Sequence, residues 1–215
     1  MKTDSQLQQD VMEELKWEPK VDHSQIGVTA KDGVITLSGS VPSYAQKLAA
    51  EQAARAVCGV RAVAQDIEVR FGVHAKPTDA EIAKHILDRF NWDVTIPDKL
   101  TVKVEHGWVT LGGQVDWNYQ KNDAFKAASK VNGVLGVVNA IEVKATPTPK
   151  DIRQRIEAAF KRSSAVDASA IQVEVDGSTV KLKGHLHGWN ERRTAENAAW
   201  AAPGITKVED EIVLA

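Results

Sequence analysis

The same order of apolar spacing recurs three times along the chain: a helical stripe, two alternating runs, a second helical stripe and a last alternating run. Leu7, Val11 and Leu15 open the first copy. Ile82, Ile86 and Phe90 open the second, and Ile152, Ile156 and Phe160 the third. A spacing of four places each set on one face of an amphipathic helix. Thr3 precedes Gln6, and Thr78 precedes Glu81, at the spacing of a capping box. Thr148 with Asp151 is a shorter version, and Pro149 suits a first helical position because its missing N–H has no partner to lose.

Two predicted strands follow each helix. Ile26, Val28 and Ala30 alternate with polar residues, as do Leu100, Val102 and Val104, and Ile171, Val173 and Val175. The return strands carry Ile35, Leu37 and Val41; Val109, Leu111 and Val115; and Val180, Leu182 and Leu186. Alternation means one buried face and one wet face. Asp32-Gly33, His106-Gly107 and Asp176-Gly177 between the runs predict hairpin turns. Gly177 lies 7 residues before Gly184, against 6 for Gly33 to Gly39 and Gly107 to Gly113, so the third hairpin reads as one residue longer. Gly39, Gly113 and Gly184 fall on the buried face, where a glycine marks the close approach of another backbone. The second helix is the expected neighbour. Its stripe is Ala50, Ala53, Ala54 and Val57; Ala124, Ala127, Ala128 and Val131; and Ala195, Ala198, Ala199 and Ala202. Each helix is expected to end near Gly59, Gly133 or Gly204. The last strands hold Ile67 and Val69, Ile141 and Val143, and Ile212 and Leu214. A helix separates them from the return strands, so the pairing should be parallel with a right-handed crossover.

From Gly39 to Gly59, Gly113 to Gly133 and Gly184 to Gly204 the spacing is 20 residues each time, and 8 more reach the isoleucine of the last strand. The predicted fold is α+β: three tandem αββαβ domains, at 1–72, 73–146 and 147–215. Each has two helices on one face of a small three-stranded mixed sheet. The links, Phe71 to Pro77 and Ala145 to Pro149, are short and contain proline, which predicts a compact or semi-rigid string.

Charge is balanced within every repeat. Lys and Arg against Asp and Glu number 8 and 10, 9 and 9, and 10 and 10. This excludes the basic excess of a nucleic-acid binder. The single cysteine, Cys58, rules out an internal disulfide and is expected to be a small buried hydrophobe at the end of an apolar stripe. The opening residues carry no signal peptide or lipobox cysteine, so the chain as written is expected in the cytoplasm, or in the periplasm where a leader has been removed.

The pattern resembles the BON domain, named for a bacterial osmotically inducible periplasmic protein and for nodulation proteins. The resemblance rests on an apolar-x-Leu-x-Gly-x-apolar return strand behind a turn glycine, an alanine-rich helix, Gly-apolar-x-x-Val and a short final strand. In the first copy these are Gly33, Leu37, Gly39, Val41, Gly59, Val60, Val63, Ile67 and Val69. Gly107, Leu111, Gly113, Val115, Gly133, Val134, Val137, Ile141 and Val143 correspond to them. So do Gly177, Leu182, Gly184, Leu186, Gly204, Ile205, Val208, Ile212 and Leu214. The resemblance implies the αββαβ fold and a non-enzymatic role: binding phospholipid or a membrane surface, or an envelope partner, in support of envelope integrity under osmotic stress. A relative that joins one such domain to a peptidoglycan-binding module binds potassium, which makes the potassium ion a second possible ligand. A holdase or scaffold for other chains is a third reading. The motif residues maintain the fold and are not ligand contacts.

Six tryptophans are many for 215 residues. Trp117 and Trp189 fall near the start of the second helix, where the first copy has Tyr44, and Tyr119 lies close by. These four are the candidate membrane or partner contacts, since an amphipathic ring is at home at a membrane interface. The alternative is that they cap the sheet end or pack against a neighbouring repeat. Trp17 and Trp92 occupy equivalent ends of the first helix, where the third copy has Arg162, and core or inter-repeat packing is expected for them. His185 and His187 share a strand face without the third or fourth ligand that a metal needs, and read as exposed side chains. No Ser, His or carboxylate constellation repeats, so no catalytic residue and no cofactor is expected.

Overall fold

The computed structural model describes residues 2–72, 77–145, 151–163 and 168–214. The first repeat contains α1 (Asp4–Trp17), β1 (Ile26–Lys31), β2 (Val34–Val41), α2 (Tyr44–Ala56) and β3 (Ala62–Val69). The second contains α3 (Asp79–Trp92), β4 (Thr101–Glu105), β5 (Trp108–Gly112), β6 (Gln114–Val115), α4 (Asn118–Ser129), β7 (Gly136–Asn139) and β8 (Glu142–Val143). The third contains α5 (Ile152–Arg162), β9 (Ile171–Asp176), β10 (Thr179–Leu186), α6 (Trp189–Trp200) and β11 (Lys207–Leu214). The αββαβ order of the sequence reading is present three times. The residues gather into two compact units, Met1–Gln114 with Tyr119–Ile141, and Val115–Asn118 with Glu142–Ala215.

In each repeat the return strand sits in the middle. It pairs antiparallel with the strand before it and parallel with the strand that follows the second helix. The second repeat's return strand breaks at Gly113, and its short second half, β6, pairs with β8. The helical stripes meet the inner faces of the strands. Leu7, Val11, Leu15, Ile35, Leu37 and Ile67 are buried together with the alanines of α2. Ile152, Ile156, Phe160, Val180, Leu182 and Ile212 do the same beside α6.

Three expectations change. The backbone that crowds the strand glycine is the entry to the first strand, not the second helix. A Cβ on Gly39 would lie 1.9 Å from the Gln25 carbonyl oxygen, and one on Gly184 would lie 1.9 Å from that of Ala170. The third hairpin is no longer than the others. Asp176 pairs with Thr179 as Lys31 pairs with Val34, so Gly177 stands where Asp32 stands and Ser178 where Gly33 stands. A turn with positive φ at its first position only suits glycine there. Cys58 is exposed, because the chain has left α2 and turned outward before reaching it.

Both capping boxes form: Thr3 with Gln6, and Thr78 with Glu81. The Thr78 N–H and then its hydroxyl hold the Glu81 carboxyl below its ordinary range. The residue after each cap adds a contact that periodicity does not reveal. Asp4 accepts from the Asp32 N–H at 3.0 Å, and Asp79 accepts from the N–H groups of His106 and Gly107 at 2.7 and 2.9 Å. The carboxylate thereby ties the helix start to the hairpin turn, where Asp32 and His106 hold positive φ. In the third repeat the cap position of α5 is Asp151, which makes no capping hydrogen bond and instead pairs with Arg155 at 2.7 Å. Thr148 and Pro149, with the linkers at 73–76 and 146–150, lie outside the described residues.

Candidate functional site

The four aromatic candidates do not share one environment. Tyr44 is half-buried at the start of α2, and its phenol is hydrogen-bonded to the backbone of Val137 on β7. Burial raises its pKa. Trp189 is half-buried, and the Arg192 guanidinium lies over its ring at 5.2 Å, within the range of a cation–π contact. Trp117 and Tyr119 are exposed, at 40% and 52%.

The most exposed rings are the two expected to pack. Trp17 ends α1 and is 85% exposed; Trp92 ends α3 and is 88% exposed. The stripes of α1 and α3 are complete at Leu15 and Phe90. Two residues further on, the helix has turned about 200° at 100° per residue, so the indole points away from the core. Val94 is wholly exposed just beyond Trp92, and Leu87 is exposed one turn before it. An open groove of about 720 Å³ adjoins Trp92 and Val94, and its rim carries Arg89, Lys126 and Lys130 together with Asp88, Asp93 and Asp123. Lys126 is paired to Asp123 at 3.1 Å. Asp93 accepts from the hydroxyl and N–H of Thr95, which hold its carboxyl below the ordinary range.

A second cluster joins the second helix to the last strand. Two residues before the last-strand isoleucine, each repeat places a polar side chain on the inner face: Gln65, Asn139 and Asp210. Gln65 donates to the Lys47 carbonyl at 3.2 Å and to Glu51 at 3.4 Å. Asn139 donates to the Lys121 carbonyl at 3.0 Å and accepts from the Ile141 N–H. Asp210 has nothing to donate when ionised. It accepts instead from Arg192, from the Ile212 N–H at 2.9 Å and from Glu196. Burial opposes its ionisation, and these donors outweigh burial and leave its carboxyl below the ordinary range. Burial, with the hydrogen bond and charge of Asp210, raises Glu196 from 4.5 to about 7. Strand parity alone could have flagged this position, because a polar residue recurs on the buried side in all three copies.

Among the described residues, no group of three or more His, Cys, Asp or Glu side chains could hold a metal. His185 and His187 are exposed, and among the described residues no helix is long and apolar enough to cross a membrane.

Three small α+β modules in tandem, each filled by its own helices and carrying its chemistry on exposed ends, define a protein of repeated domains. The BON domain family model matches residues 3–70, 78–145 and 149–215. The chain belongs to the BON domain family. It is 32% identical over 134 residues to osmotically-inducible protein Y of Escherichia coli strain K12, a match covering 58% of this chain and 67% of that one. Among solved structures it aligns with CdsD, a structural protein of the type III secretion system of Chlamydia trachomatis. That alignment covers 96% of this chain and 91% of CdsD, with 13% identity and a TM-score of 0.28.

Proposed function

We propose that this protein is a non-enzymatic, stress-related envelope protein that rests on a phospholipid surface through its first two repeats. The observation that supports this reading is the pair of outward indoles, Trp17 and Trp92, at equivalent helix ends. Holding a tryptophan in water leaves about 150 Å² of apolar surface wet, worth about 4 kcal/mol if fully covered. A lipid headgroup layer accepts such a ring, apolar body inward and N–H toward water. Beside Trp92 the groove adds Val94 as a second apolar contact and Arg89 and Lys130 as cations for a lipid phosphate. The near-neutral chain, formal net charge −2, has no long-range pull toward anionic lipid. Insertion of the rings therefore supplies the attraction. The likeness to an osmotically inducible protein supports a role under osmotic stress.

Co-sedimentation with neutral phosphatidylcholine and with anionic phosphatidylglycerol vesicles tests the reading. Binding to both, with a blue shift of tryptophan emission, is the expected result. Absence from both pellets removes it.

A further inference from the structure

The strand side of the seam between the second helix and the last strand is a neutral amide in the first two repeats and a carboxylate in the third. The three positions are equivalent: Lys47, Glu51 and Gln65; Lys121, Phe125 and Asn139; Arg192, Glu196 and Asp210. An amide at the strand position donates to the helix at every pH, as Gln65 and Asn139 do. A carboxylate there must be donated to. Asp210 is nearly closed off from solvent, with its side chain 9% exposed, so its oxygens depend on protein partners. Arg192 supplies one and is itself steadied by the ring of Trp189. Glu196, one turn further along α6, supplies another: the equivalent residues of the first repeat, Gln65 and Glu51, meet at 3.4 Å across the same seam.

We propose that the α6–β11 seam is a proton-dependent latch: Glu196 holds Asp210 only while it carries a proton, and losing it sets two carboxylates against each other and loosens α6 from β11. The charged groups acting on Glu196 are Asp210 on β11 and Arg192 on α6 itself. Of the elements that also pack on α6, β10 carries Lys181 and Lys183, paired with Glu209 and Glu174 on the outer sheet face, and α5 carries Arg153 and Arg155, paired with Glu157 and Asp151. Arg192 offsets one negative charge, so the deprotonated seam carries a net negative charge at a half-buried position.

The sign follows from the direction of the shift. Glu196 is raised from 4.5 to about 7, so the folded seam binds the proton more tightly than the unfolded chain does. Its stabilising effect is complete below 4.5 and is lost as pH rises through about 7. The lowered Asp210 acts in the opposite sense and only in acid: its contribution is present above 3.8 and falls away below that. The latch is therefore tight in mildly acidic conditions and slack in mildly alkaline ones. The second repeat has Phe125 and Asn139 at these two positions and so has no carboxyl to titrate there.

Amide hydrogen exchange on the full chain at pH 5 and pH 8, corrected for the intrinsic pH effect, reads the latch. Protection of α6 is expected to fall about tenfold at pH 8, discounting the full linkage for the half-exposed carboxyl, while α4 keeps its own. Glu196→Gln donates permanently and should make α6 protection independent of pH. Asp210→Asn, which copies the second repeat, should do the same and serves if the first variant folds poorly. The carboxyl carbon resonance of Glu196 should titrate near neutrality. Equal behaviour of α6 and α4 in the unmodified protein, a pH slope that survives Glu196→Gln, or a Glu196 midpoint in the ordinary glutamate range would each overturn the proposal.

Discussion

The second and third repeats have the same strand order and the same spacing from strand glycine to last strand, yet they secure it by different chemistry. The second begins with a full capping box and a carboxylate that grips the hairpin turn. It ends its first helix in an outward indole and closes its seam with an amide. The third has an uncapped Asp151, Arg162 in place of the indole, and an Arg–Asp–Glu seam. Its outer sheet face carries a ladder of pairs, Lys181 with Glu209, Lys207 with Glu209 and Lys183 with Glu174. The corresponding face of the second repeat carries Trp108 and Val138. The shared residues make the fold, and the differing ones sit at the helix ends, on the outer sheet face and at the seam.

The largest expected effect tests what is shared. Gly39→Ala forces a Cβ against the Gln25 carbonyl at a positive φ, and should destabilise the first repeat by roughly 4 kcal/mol. Gly184→Ala should match it. Gly113→Ala should cost less, because its nearest contact is 3.0 Å. Denaturant unfolding followed by amide exchange in each repeat measures all three, and equal losses would contradict the geometry.

The next effect tests the indoles. Trp92→Ala should weaken vesicle partition about tenfold, and Trp17→Ala with Trp92→Ala about a hundredfold, each tenfold step being about 1.4 kcal/mol. Arg162→Trp should move the third repeat toward the second and strengthen partition. Sedimentation at several lipid concentrations gives the ratios. A double variant that partitions like the parent would leave the rings without a role.

A smaller effect tests the helix starts. Asp79→Ala removes two hydrogen bonds to the turn and should cost about 2 kcal/mol, read as a lowered unfolding midpoint of the second repeat. Asp151→Ala should leave the third repeat's midpoint unchanged within error. The smallest concerns Cys58: exposed and outside the core, it should tolerate serine within about 0.5 kcal/mol and react with a thiol reagent in the folded protein.

Most of the fold was legible because it is local. Leu7, Val11 and Leu15 define a helix by spacing alone, and Thr78 with Glu81 defines its start. The parallel last strand followed from the intervening helix. The rest depended on distances through space. Nothing in the spacing says that the Gln25 backbone reaches Gly39 before α2 does, or that Ser178 takes the place of a turn glycine. Trp17 and Trp92 were misjudged because size and apolarity suggested packing, while their helical angle pointed them outward. The seam escaped notice because Arg192, Glu196 and Asp210 come from two elements and meet only when β11 docks.

That docking has a consequence for how three near-copies fold in one chain. Tandem homologous domains risk exchanging equivalent strands as they form. If β11 settled on α4, Asp210 would meet Lys121 in place of Arg192 and the Phe125 side chain in place of the Glu196 donor. Each last strand's polar residue is therefore matched to the helix of its own repeat, and an exchanged strand loses that match.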